Sequence, residues 1–135
     1  MPFVTLTISK PKSAAFKTQV LDAVHSALVA SGVPLTDRFQ RVIELAPEEF
    51  RFDPIYPDLQ SPRDQDFVLI EILWSVGRSV KVKRKLLTEL TELTELTELT
   101  ALPADSGLNP EHVLVVFKET AWENWAFGGG RVIHG

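Results

Sequence analysis

The chain contains no cysteine. That excludes disulfides, thiolate nucleophiles and cysteine-based zinc sites together. It has three histidines, His25, His112 and His134, none at a spacing that pairs two of them on one metal, so no metal is expected. No apolar run approaches the roughly 20 residues needed to cross a bilayer, and no charged segment followed by an apolar stretch marks a secretory signal. A soluble, cytoplasmic protein is expected. The net charge is -4, and the only basic cluster is Lys81, Lys83, Arg84 and Lys85, which at helical spacing reads as a solvated face. Neither nucleic acid nor a membrane surface is therefore an expected partner.

What is present is an ordinary globular composition: 135 residues, 44% apolar and 24% charged, the size of one domain. From Phe3 to Ile8 the residues alternate with a period of two in a β-branched segment, so a strand begins almost at the terminus. Phe16, Val20, Val24, Ala27 and Leu28 then recur at helical spacing until Gly32, with Pro34 beyond as a stop signal. A second strand is expected over Arg38 to Leu45, which closes a βαβ unit over residues 2–46. Residues 47–65 hold Pro47, Pro54, Pro57 and Pro62 and read as an elaborated connection. Phe67 to Trp74 is apolar except at Glu71, the pattern of a strand covered on both faces. A helix from Val80 to Leu99 and a strand from His112 to Phe117 complete a second βαβ unit over residues 66–118. Residues 119–135 form an aromatic and glycine-rich C-terminal segment.

Two such units predict an α/β fold, a four-stranded sheet with both helices on one face, because right-handed crossovers carry them to the same side. The other face has no helix left to cover it, although the third strand is apolar there too. Self-association is the expected solution.

From Leu87 to Thr100 the chain reads Leu-Thr-Glu four times and then Leu-Thr. Three residues turn about 300° round a helix, so the leucines drift off a single stripe. The glutamates repel one another at i,i+3. A frayed or bent C-terminal half is expected, with the early leucines in the core.

Met1-Pro2 offers a possible reactive group. A small second residue favours removal of the initiator methionine, which leaves a secondary amine at the start of a strand. Burial in an apolar pocket beside a cation disfavours the charged form of such an amine and readies it as a base. The predicted fold brings the start of the first strand towards the loop before the second and the turn after the third. Those segments carry Pro2, Asp37 and Arg78. Arg78 at the start of the second helix suits a substrate carboxylate, since the free N-H groups and dipole there already favour an anion. Asp37 could exchange protons or orient a water. Tyr56 and Trp122 either line the pocket or pack; Glu48 and Glu49 read as solvated, and His25 as structural.

Taken in order, Met1-Pro2, Gly32-Val33-Pro34 with Asp37-Arg38-Phe39-Gln40, Gly77-Arg78-Ser79 and Trp125-Ala126-Phe127-Gly128-Gly129-Gly130 resemble the tautomerase superfamily, specifically its malonate semialdehyde decarboxylase-like group. The resemblance spans nearly the whole chain. It implies a trimer of double βαβ units, a catalytic Pro2, an acidic partner in Asp37 and a carboxylate-binding Arg78. It also implies an aromatic wall of Trp125 and Phe127 around the proline, and no cofactor. Val76 departs from the decarboxylase pattern, which has an arginine at that substrate-binding position. With one cation fewer the expectation is keto-enol tautomerisation of small 2-oxo or 3-oxo acids such as phenylpyruvate. The alternatives are decarboxylation of malonate semialdehyde, hydration of an unsaturated acid, or a non-catalytic binding or assembly protein with the Leu-Thr-Glu helix as its contact surface.

Overall fold

The computed structural model describes residues 2–77, 79–96 and 110–132. Strands β1 (Phe3–Ser9), β2 (Phe39–Leu45), β3 (Val68–Ser75) and β4 (Val113–Thr120) form one sheet in the order β2-β1-β3-β4. β1 runs parallel to β2 and β3 parallel to β4, while β1 and β3 pair antiparallel. Each parallel pair is joined through a helix, α1 (Ala14–Ala30) or α2 (Val80–Leu96). The double βαβ fold is thus present, with every strand limit within three residues of the one expected. α2 is regular to Leu96, and the stretch where fraying was expected lies partly outside the described residues.

Both helices pack on one face of the sheet. Val4, Leu6 and Ile8 of β1 and Val68, Ile70, Ile72 and Trp74 of β3 are buried there against Phe16, Val20, Val24 and Leu28 of α1 and Leu86 and Leu90 of α2. Trp74 stacks on Phe117 of β4 with ring centroids 5.0 Å apart. The drift of the repeat is visible at once, because Leu90 is buried while Leu87 is exposed. Leu86, just before the tract, supplies the buried residue one helical turn away.

The two ends of α1 set the geometry around it. Ser13 Oγ accepts from the Phe16 N-H at 3.0 Å and caps the N-terminus. At the other end Gly32, at φ 109°, lets the chain reverse. The N-H groups of Gly32 and Val33 then donate to the carbonyls of Val29 and Leu28, a Schellman closure with Val33 turned into the core. Ser79 plays the starting role for α2, its Oγ accepting from the Val82 N-H at 3.1 Å.

The helix-free face differs from the core face. Leu69, Glu71 and Leu73 of β3 are only half-buried there, so the strand expected to be covered on both sides is fully covered on one. Phe39, Ile43, Leu114 and Val116 are exposed on the same side. Through its middle runs a polar row in which Arg41 Nε donates to Thr5 Oγ1 and Lys118 pairs with Glu71. Among the described residues no helix is long and apolar enough to cross a membrane.

Candidate active site

Pro2 sits where three segments converge. The register pairs Phe3 with Phe39 on β2 and with Leu73 on β3, so the residue before Phe3 lies beside the entry to β2 and the exit of β3. Pro2 itself is buried. It lines a cavity of about 220 Å³ together with Phe3, Phe39, Trp125, Ala126 and Phe127.

The C-terminal segment reaches this cavity by two turns. After β4 the chain makes a short helical turn over Trp122–Asn124, tied back by Asn124 Nδ2 donating to Thr120 Oγ1 at 2.7 Å, and delivers Trp125. A tight hairpin follows, in which the Phe127 N-H donates to the Arg131 carbonyl at 2.8 Å and the Gly130 N-H to the Phe127 carbonyl at 2.9 Å. Gly129 and Gly130 adopt φ 76° and 73°, a conformation that side chains disfavour, which is why glycine stands at those two positions. The glycine-rich part of the C-terminal segment is therefore a closed turn that sets Phe127 beside Arg131.

Asp37 is placed by α1. His25, buried on that helix, donates from Nε2 to the Leu35 carbonyl at 2.8 Å, and Gln40 Nε2 donates to the Leu21 carbonyl at 2.8 Å. Arg38 pairs with Asp22. The intervening turn is closed by the Asp37 N-H on the Pro34 carbonyl at 3.0 Å. Asp37 is half-buried and lines a second, wider cavity of about 700 Å³ with Phe39, Phe127 and Arg131. Since Phe39 and Phe127 wall both cavities, the amine end and the carboxylate end adjoin across two aromatic rings. Together they fall in the size range of small-molecule pockets.

Of the residues singled out from the sequence, Pro2, Trp125 and Phe127 share one cavity, and Asp37 opens on its neighbour. Val76, 42% exposed just past β3, does not line either. Arg78 lies outside the described residues. Tyr56 is exposed in the connection, away from both cavities, where Phe50, Phe52 and Phe67 cluster instead. Two lining residues carry no role in the sequence reading: Phe39, which enters it only as part of a strand and of the Asp37-Arg38-Phe39-Gln40 stretch, and Arg131, which follows directly on the glycine turn.

Comparison with known proteins adds to this geometry. Residues 37–128 match the profile of a family described as tautomerase enzymes. The chain is 24% identical over 132 residues to a probable tautomerase, YusQ, of Bacillus subtilis (strain 168), covering 97% of this chain and 96% of that one. Among solved structures, it superposes with a TM-score of 0.78 and 28% identity on a malonate semialdehyde decarboxylase studied for its decarboxylase and hydratase activities, over 96% and 93% of the two chains. A wild-type symmetric trimer of fused 4-OT superposes with a TM-score of 0.69 at 21% identity, over 98% and 96%, which is a likeness of fold.

Proposed function

The chain is an enzyme of the tautomerase superfamily, in its malonate semialdehyde decarboxylase-like group, and on that premise we propose that Pro2, freed of Met1, is the proton-carrying base of a keto-enol tautomerase acting on small oxo acids, with phenylpyruvate as the test substrate. The observation that carries the reading is the enclosure of Pro2 by Phe39, Trp125 and Phe127. An apolar surround disfavours the protonated amine and leaves a basic nitrogen at neutral pH. During ketonisation the enol O-H breaks, its electron pair becomes part of the new carbonyl, and the carbon-carbon double bond takes up a proton at carbon. The amine accepts the first proton and returns one to the carbon, so no redox partner is needed. Asp37, at the edge of the adjoining cavity, orients or exchanges a proton with water or substrate. Arg78 takes the substrate carboxylate at the start of α2.

The same site supports a second reading. Likeness to the malonate semialdehyde decarboxylase, with Asp37 beside the Pro2 cavity, favours attack by a water that Asp37 holds, or decarboxylation of a 3-oxo acid. Decarboxylation requires the carboxylate to be held out of the carbonyl plane, and the uncharged Val76 gives that geometry no help. One preparation assayed for phenylpyruvate ketonisation, 3-oxo acid decarboxylation and hydration of an unsaturated acid separates the readings. Ketonisation fastest by kcat/KM supports the tautomerase, and ketonisation absent beside either other activity contradicts it.

The unit is proposed to be a homotrimer joined through its helix-free face. Phe39, Ile43, Leu114 and Val116 are 36–47% exposed there, more apolar surface than an isolated chain has reason to keep. The polar row of Arg41, Thr5, Glu71 and Lys118 is already paired within the chain, so covering it leaves few groups unsatisfied. Sedimentation of a species three chains in mass is the expected result.

A further inference from the structure

We infer that Arg131 is a substrate-binding residue of this enzyme, which grips the carboxylate of the oxo acid. The inference rests on the reading of the cavity as an oxo-acid site and adds to it a cation from a different part of the chain. Its basis is the hairpin at residues 127–131. Arg131 Nε donates to the Gly128 carbonyl at 2.8 Å, which folds the side chain back along its own turn and fixes the plane of the guanidinium. An added Cβ on Gly128 or Gly129 would stand 3.8 or 3.9 Å from the guanidinium, so the turn's backbone lies directly beneath it. With Nε occupied, the Nη1 and Nη2 groups have no protein partner among the described residues. Two parallel N-H donors of that kind match a carboxylate in a bidentate pair.

The guanidinium is also in the right cavity. Arg131 lines the wider depression with Asp37, and Phe39 and Phe127 form the wall between that depression and the Pro2 cavity. In a 2-oxo acid the carbon that takes up the proton is separated from the carboxylate by a single carbon, so an acid whose carboxylate pairs with Arg131 brings that carbon to the edge of the Pro2 cavity while its apolar tail lies against the two rings. Val76, in the segment between β3 and α2, contributes no charge, so the hairpin supplies a cation that this position does not.

The test is equilibrium binding of two unreactive probes, 3-phenylpropanoate and its neutral amide, by calorimetry on wild-type protein and on Arg131→Gln and Arg131→Ala. Gln keeps an N-H donor for the turn and removes only the charge. The expected result is that the acid binds about 10- to 100-fold more weakly to both variants while the amide binds as before. The acid's salt dependence should shrink with it. Acid binding unchanged in the variants, or acid and amide weakened together, overturns the inference, as does a wild type that does not prefer the acid. Turnover is read separately on the same preparations. A wild type that binds the acid through Arg131 yet ketonises no substrate sinks the tautomerase reading and leaves the anion site standing, whereas turnover with no loss of acid binding in Arg131→Gln does the reverse.

Discussion

His25 Nε2 lies 2.8 Å from the carbonyl oxygen of Leu35, so a buried side chain of α1 holds the loop that presents Asp37. Replacing it by Leu removes the donor while keeping the apolar bulk. The expected cost is about 0.5–1.5 kcal/mol, the net worth of one such bond. A fall in the denaturation midpoint should measure it. Activity should fall by more than stability alone explains, because the loop loses its tether while α1 remains folded. An unchanged kcat/KM in a folded His25→Leu protein would show that the loop holds Asp37 without this bond.

The aromatic wall makes a prediction about pH. On the proposed mechanism the catalytic form of the Pro2 amine is the neutral one, and burial beside Phe39, Trp125 and Phe127 would disfavour its charged form. Truncating Phe127 to Ala admits water and favours the protonated amine. The acid limb of kcat/KM against pH should therefore move to higher pH, and activity at pH values below the wild-type limb should fall by about tenfold for each unit that the limb moves. A lower activity with an unmoved limb would mean that the ring positions substrate without shaping the amine's basicity.

Buried and exposed leucines of α2 separate cleanly. Leu90→Ala should cost about 2–5 kcal/mol because Leu90 is packed under the sheet, and Leu87→Ala should stay within about 0.5 kcal/mol because Leu87 faces outward. Urea denaturation of the two variants compares them directly. Equal losses would mean that the repeat packs in a register other than the one described.

The connection carries its own pH signature. Asp53 accepts hydrogen bonds from the N-H groups of Ile55 and Tyr56, at 3.0 and 2.7 Å, and these, with Arg63 nearby, hold its carboxyl below the ordinary aspartate range. A carboxyl depressed in the folded state contributes order above its unfolded pKa, near 3.9. That contribution is lost as pH falls through the folded value. Amide exchange at Ile55 and Tyr56 should be faster in Asp53→Asn than in wild type above about pH 4, and the two should converge only once the pH has fallen through the depressed folded value. A difference that persists in acid would point to packing in place of charge.

Much of this architecture was legible because each element carries a local signal. Period-two alternation marked β1, the Gly32-Pro34 stop marked the end of α1, and an apolar run interrupted only by Glu71 marked β3. The strand limits drifted because pairing with neighbours, which no local pattern encodes, decides where a strand ends. β4 extends past Phe117 to Thr120 since β3 is there to pair with it. The site was legible in part. Pro2, Asp37, Trp125 and Phe127 stood out by residue type and order, while Phe39 was hidden among ordinary strand residues and acquired its place only from its register with Phe3. Arg131 could have been found from the glycines before it, since a turn needing two positive φ angles returns the next residue to the side of Phe127.

The central claim, that the Pro2 nitrogen is the base, is tested most directly by the rate of phenylpyruvate enol-to-keto conversion in wild type and Pro2→Ala, with intact mass confirming that both have lost Met1. The account predicts a large loss in Pro2→Ala, about 10²- to 10⁴-fold, the range expected for removing a positioned general base. Equal rates in the two proteins, or a wild type that works with Met1 retained, would contradict it.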